Sequence, residues 1–261
     1  MCIRDRANGT LSWATATVQI MGTNDAPQVT GAVTANAWED GSSVTLNALA
    51  CASDVDNNAT LSVANVPASL PPGVTYDAAT HSFTLNPSDA AYQHLAQGQS
   101  IDVTVNYGVS DGIATTAASV KFTVSGTNDA PVVSGAVSGN ATEDGAALTL
   151  NALANASDVD DNTSLSVVNV PALPAGVTYD AATHSFTLNP SDAAYQHLAQ
   201  GQSLDVTVNY GVSDGLATTA ASVKFTVSGS NDAPVVSGAV SGNASEDGAA
   251  LTLNALSLIH I

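Results

Sequence analysis

Leu204-Asp205-Val206-Thr207-Val208-Asn209-Tyr210-Gly211-Val212-Ser213-Asp214-Gly215 is the run whose reading decides the fold. Leu204, Val206, Val208, Tyr210 and Val212 alternate with Asp205, Thr207 and Asn209, a period of two that places one set on each face of a pleated strand. Ser213-Asp214-Gly215 then stops the run with turn residues. Beyond the turn, Val223, Phe225 and Val227 alternate with Lys224 and Thr226. Upstream, Leu148, Leu150 and Ala152 alternate with Thr149 and Asn151, followed by Leu165 and Val167, then Phe186 and Leu188. Short period-two runs separated by turn signals predict an all-β chain built as a two-sheet sandwich.

The pattern is copied. Gly-Thr-Asn-Asp-Ala-Pro stands at Gly22–Pro27 and Gly126–Pro131, and Gly-Ser-Asn-Asp-Ala-Pro at Gly229–Pro234. Between Gly73–Pro131 and Gly176–Pro234 only Ile101/Leu204, Ile113/Leu216 and Thr127/Ser230 differ. Self-similarity at one fixed period marks a tandem array. The proline cannot donate to a ladder and extends the residue before it, so the hexapeptide reads as a short, stiff joint. The expected modules are 24–127 and 128–230, with 7–23 as the last strand of a preceding repeat and 231–255 as the start of a further one. Met1-Cys2-Ile3-Arg4-Asp5-Arg6 and Leu256-Ser257-Leu258-Ile259-His260-Ile261 fit no part of the repeat. Both can be encoded by opposite strands of one DNA segment resembling a transposon end used in sequencing libraries. Residues 1–6 and 256–261 are therefore expected to be sequencing-adapter read-through.

Composition agrees with the strand reading. Val, Thr, Ala, Gly and Asn dominate while helix formers are scarce. Four Lys and Arg stand against 23 Asp and Glu, a formal charge of −19, which argues against nucleic-acid and anionic-membrane partners. No run is long enough to span a bilayer. Cys51 is replaced by Asn155 in the second copy, so it belongs to no repeated disulfide framework. The segment Ser191–Leu198 is the one stretch expected to form a helical turn, with Tyr195 in a structural role before the longest strand.

The acids are 20 Asp and only Glu39, Glu143 and Glu246, and they sit between the apolar runs. If about seven strands are threaded up and down, the loops sort to two ends. Glu143-Asp144-Gly145 falls at the bottom. Asp158-Val159-Asp160-Asp161 and Ser213-Asp214-Gly215 fall at the top beside the incoming joint. Each junction then collects a Glu from the module before, the Asn-Asp of the joint and two Asp loops from the module after. For the junction complete in this chain these are Glu39, Asn128, Asp129, Asp158, Asp160 and Asp214, with Asp40 and Asp161 as helpers. The equivalent positions at the other joints are Asn24, Asp25, Asp54, Asp56 and Asp111, and Glu143, Asn231 and Asp232. Calcium takes six to eight hard oxygens in flexible geometry, and converging carboxylates without nearby cations repel unless a metal ion fills the gap. The competing reading is that Asp-x-Asp and Asp-Gly are ordinary Asx turns. Four motifs in one order, each copied, favour Ca2+. An EF-hand is excluded, since Thr163 and Asn169 stand where Gly and Glu are required.

Glu-Asp-Gly, Asp-x-Asp, Ser-Asp-Gly and a terminal Asn-Asp-x-Pro, in this order, resemble cadherin-type repeats. The tract from Tyr195 through Leu198 and Gly201 to Tyr210-Gly-Val-Ser-Asp-Gly and Gly-Ser-Asn-Asp-Ala-Pro is similar to bacterial VCBS repeats. The resemblance covers residues 7–255. It implies an immunoglobulin-like sandwich, calcium at module junctions, and a large secreted or cell-surface bacterial adhesin of the RTX type. Ala130 departs from the longer acidic joint of animal cadherins, which implies fewer ions or weaker binding. The expected function is a calcium-stiffened structural spacer in cell adhesion or biofilm formation, with neighbouring repeats as its partners. The alternative is a module that itself binds glycan or mediates homotypic adhesion; against it, Trp38 is replaced by Thr142 in the next copy. Host-cell, glycan or biofilm-matrix contact is expected through other parts of the protein. No enzyme motif is present, and His81, His94, His184 and His197 have no catalytic or metal-ligand spacing.

Overall fold

The structure, a computed structural model, describes residues 15–236, 238–254 and 259–260. The chain forms two compact units, one comprising the chain up to Tyr92 with Ser100–Ser125, the other Gln93–Gln99 with the chain from Gly126 onward. No helix occurs among the described residues, and so none is long and apolar enough to cross a membrane.

The first unit contains β1 (Gln28–Val29), β2 (Val33–Trp38), β3 (Val44–Asn47), β4 (Ala52–Ser53), β5 (Ser62–Ala64), β6 (Val74–Asp77), β7 (Ser82–Leu85), β8 (Ser100–Ser110) and β9 (Thr115–Ser125). The second repeats them as β10 (Val132–Val133), β11 (Val137–Thr142), β12 (Leu148–Asn151), β13 (Ala156–Ser157), β14 (Ser166–Val168), β15 (Val177–Asp180), β16 (Ser185–Leu188), β17 (Ser203–Ser213) and β18 (Thr218–Ser228). In the second unit one sheet runs β11-β18-β17-β14, the other β12-β16-β15, and β10 pairs with β13. In the first unit the corresponding orders are β2-β9-β8-β5, β3-β7-β6 and β1-β4. Further on, Val235–Val236 (β19) pairs with Ile259–His260 (β20).

The alternation read from the sequence settles which faces meet. Val206, Val208, Tyr210, Val212, Val223, Phe225 and Val227 point inward from one sheet, Phe186 and Leu188 from the other, and all are buried. Phe186 lies between Tyr179 and Tyr210, with ring centroids 4.8 and 5.2 Å apart and tilted planes. This is the packing that aromatic quadrupoles favour. The hydroxyl tips of the buried tyrosines need acceptors, and they have them. Tyr210 Oη donates to the Ala152 carbonyl at 2.7 Å, and Tyr195 Oη donates to that of Ala175. Tyr195 is thus a structural residue.

Four expectations change. The strands do not all pair with their sequence neighbours, although β15 with β16 and β17 with β18 do so antiparallel. β11 pairs in parallel with β18, as first and last strands that descend together can, and the chain crosses between the sheets after β11, into and out of β14, and again before β17. Each repeat also has nine strands rather than about seven, in part because the first stretch changes partner: β10 bonds β13, while β11 bonds β18. The segment 191–198 is a chain of turns rather than a helical one. Asp192 N–H donates to Asn189, Tyr195 to Asp192 and Leu198 to Tyr195, one three-residue bond after another, and the Asp192 carboxylate takes the Ala194 N–H instead. Finally, residues 15–23 form no strand, and Val18, Ile20 and Met21 are more than 80% exposed. A lone strand lacks a sheet to bond and a face to bury. Leu11, Trp13 and the N-terminal hexapeptide lie outside the described residues, as do Ala255 to Leu258 and Ile261.

Candidate functional site

In the second unit, the loop after β13 and the turn between β17 and β18 lie at the pole where Asn128-Asp129 enters. Asn128 Nδ2 donates to Asp214 Oδ2 at 3.0 Å, and Asp129 N–H donates to Asp160 Oδ2 at 3.0 Å. Asp158 Oδ1 accepts the Asp160 N–H at 2.9 Å, an Asx turn that folds the Asp-Val-Asp loop back on itself. Carboxylate oxygens of Asp129 and Asp160 lie within 4.8 Å of each other. Asp160 is buried, and Asp158 Oδ2 is buried without a hydrogen-bond partner among the described residues.

Asp214 is held by its own turn. Its Oδ1 accepts the N–H groups of Leu216 and Ala217, both at 2.6 Å. Partial burial raises its pKa, but those N–H groups and the Asn128 amide outweigh it and hold the carboxyl below the usual aspartate range. Ser213, named from the sequence only as a turn residue, shapes this turn through its side chain: its Oγ donates to the Ala217 carbonyl and accepts the Gly215 N–H.

The first unit repeats the pattern. Asn24 Nδ2 reaches Asp111 Oδ2 at 3.0 Å, Asp25 N–H reaches Asp56 Oδ2 at 2.9 Å, and Asp56 N–H reaches Asp54 Oδ1 at 2.8 Å. Asp54 Oδ2 is likewise buried without a hydrogen-bond partner among the described residues. The N–H groups of Ala114 and Ile113, with the Asn24 amide, hold Asp111 below the usual range.

Within its own sandwich each glutamate sits apart from these acids. Glu143 follows β11, and its N–H bonds the Ser228 carbonyl at the end of β18, so it lies where the chain leaves the sandwich. It is fully buried, and Oε1 accepts both the Ser230 N–H, at 2.5 Å, and the Ser230 Oγ–H, at 3.2 Å. Its Oε2 has no hydrogen-bond partner among the described residues. The role of Ser230 was not legible in the sequence, because a serine before Asn-Asp carries no signal of its own. Glu39 follows β2 in the same way, its N–H bonding the Ser125 carbonyl at 3.1 Å, and is also fully buried. Asn231 and Asp232 are exposed; Asn231 Nδ2 bonds the Asp232 carbonyl, and no Asp-x-Asp loop follows them in the sequence.

Within each unit the hinge Asn-Asp, the Asp-x-Asp loop and the Ser-Asp-Gly turn are therefore gathered, and the Glu is not gathered with them. Backbone N–H groups fix the carboxylates in place without neutralising them. The chemistry of this donor set, hard oxygens from Asp and Asn with no Lys or Arg among them, suits a hard divalent cation.

Solved structures with similar folds include human protocadherin-24 EC1-2, at 18% identity over 80% of this chain and 100% of that one, with a TM-score of 0.47. Mouse cadherin-23 EC22-24 is similar at 16% identity over 82% of this chain and 68% of that one, with a TM-score of 0.49. An endo-fucoidan hydrolase of glycoside hydrolase family 107 is similar at 18% identity over 78% of this chain and 29% of that one, with a TM-score of 0.29. No curated protein sequence matches the chain. A family model described as cadherin-like domain matches twice in tandem, over residues 23–125 and 127–228. With two-sheet sandwiches under both matches, the chain belongs to the cadherin-like domain family.

Proposed function

We propose that these repeats are calcium-stiffened structural spacers of an extracellular bacterial adhesin acting in cell adhesion or biofilm formation, without enzymatic activity. The observation that carries this reading is the sorting of acids within each sandwich. Asn128, Asp129, Asp158, Asp160 and Asp214 converge at the pole where the chain enters, while Glu143 is buried where it leaves. In a tandem array the acid at one module's exit is then offered to the next module's entrance. Calcium bound there would take Glu39 with Asn128, Asp129, Asp158, Asp160 and Asp214, and would join modules 24–127 and 128–230. Extracellular modules bind calcium with dissociation constants of about 10⁻⁴–10⁻³ M, so the ion would be present outside cells and absent inside.

The test is thermal melting and small-angle scattering of the whole chain in calcium and in chelator. Calcium is expected to raise the melting temperature and give a longer, more uniform particle. At a calcium concentration of about 100 Kd the stabilisation is about 2.7 kcal/mol. Asp158→Asn with Asp160→Asn should abolish both responses while leaving each sandwich folded. Unchanged melting and scattering of the wild-type chain on adding calcium would exclude the reading.

A further inference from the structure

We propose that each sandwich is a mechanical clamp, in which the parallel ladder between the first long strand and the last bears tension applied along the chain. In the second unit the chain enters at Asn128, beside the β17–β18 turn, and leaves at Ser230, beside Glu143. β11 and β18 both run from the first pole to the second, paired from Val137↔Val223 to Thr142↔Ser228. The Glu143 N–H to Ser228 carbonyl bond, at 3.0 Å, continues the ladder. Tension reaches β11 from its N-terminal end and β18 from its C-terminal end, so the two strands are pulled past each other along their own axes. Every hydrogen bond of the ladder is then loaded at once. A ladder pulled from adjacent ends would instead open bond by bond.

The side chains leave the load on those bonds. β11 turns Val137, Gly139 and Ala141 inward, two of them too small to anchor the strand by packing, whereas β18 turns in Val223, Phe225 and Val227, all fully buried. β18 is also bonded along its whole length to β17. It is therefore fixed in the sandwich, and the yielding element is β11. The first unit is built alike, with β2 parallel to β9 from Val33↔Val120 to Trp38↔Ser125 and the Glu39 N–H on the Ser125 carbonyl. Two copies of one clamp in series suit a chain whose task is to transmit force. The clamp does not depend on calcium, since each ladder lies inside a single sandwich.

Single-molecule pulling of the whole chain from its ends, in chelator, tests this. Two unfolding events are expected, each releasing roughly 300 Å as the chain between the clamped strands extends at about 3.3–3.6 Å per residue. Ser138→Pro and, separately, Gly139→Pro cover both alternating sets of N–H groups along β11, so one of them removes a bonded N–H. That variant is expected to unfold roughly one to two orders of magnitude faster under fixed load, because forced unfolding follows the unfolding barrier. Leu165→Ala, off the load path in the partly buried shell of the core, serves as a control. It should lower the melting temperature while leaving rupture force close to wild type. Rupture force that follows melting temperature equally in all variants would overturn the clamp. So would first events releasing only the length of the β17–β18 hairpin.

Discussion

A methyl group traded between two positions shows how tightly these residues are matched. Gly139 in β11 faces Leu148 and Leu150. A Cβ there would sit 2.9 Å from Leu148 Cδ2 and 3.1 Å from Leu150 Cδ2. In the first unit the equivalent positions are Ala35 and Val44, so the methyl lost at the glycine reappears as the longer leucine. Leu148→Val alone is expected to cost about 0.8 kcal/mol for the methylene it removes. Adding Gly139→Ala should restore most of that, and a double-mutant cycle on thermal stability should show favourable coupling of roughly 0.5–1 kcal/mol. Additive effects would mean that the leucine tips move aside freely. The buried hydroxyl of Tyr210 gives a second case. Tyr210→Phe leaves the Ala152 carbonyl without its donor inside the core, at an expected cost of about 1–3 kcal/mol by denaturant unfolding.

At the level of elements, the exit segment depends on one close approach. Gly229 bonds the Gln202 carbonyl through its N–H, and a Cβ on it would lie 2.4 Å from the carbonyl oxygens of both Leu198 and Ala199. These are backbone atoms that cannot swing away, unlike the leucine tips beside Gly139. Gly229→Ala should therefore destabilise by about 1–3 kcal/mol or more and displace Ser230 from Glu143, readable as loss of amide-exchange protection at Ser230. The strands and their inward faces were legible in the sequence because alternation is a local property. The turn segment 191–198 was misread, since its composition suits a helix but its backbone bonds close every third residue. The exchange of partner between β10 and β11 was also hidden. Nothing in Val132 to Thr142 says which sheet edge each half will meet.

Titration addresses the molecule as a whole. Asp111 and Asp214 are held below the ordinary aspartate value of 3.8 by backbone donors, as are Asp102 and Asp205 by hydrogen bonds from Lys121 and Lys224 and from Thr123 and Thr226. A depressed folded pKa contributes stability that is present above the unfolded value and lost as pH falls through the folded one. Acid unfolding followed by circular dichroism should accordingly begin near pH 3.8 and extend below it. At the alkaline end burial pushes Tyr107 up to about 12 from 10.0. Its raised pKa gives stability that is complete below pH 10 and lost as pH climbs towards 12, so tyrosinate absorbance should show a late step coincident with unfolding. With a net charge of −19, added salt should also raise the melting temperature in chelator as the Debye length shrinks from about 30 Å at 0.01 M to about 3 Å at 1 M.

The sequence by itself determined the all-β class, the tandem repeat, the inward faces of the strands and the loops that carry the acids. Each of these follows from residue spacing or from copying along the chain. The threading of the loops already put Asn128, Asp129, Asp160 and Asp214 at one end, but only the tertiary structure decided which groups bond: Asn128 with Asp214, 86 residues away, Asp129 with Asp160, and Glu143 with Ser230. It also decided that β11 lies parallel to β18. Such pairings depend on which strand edges remain open once the two sheets have packed, and no local pattern encodes that choice.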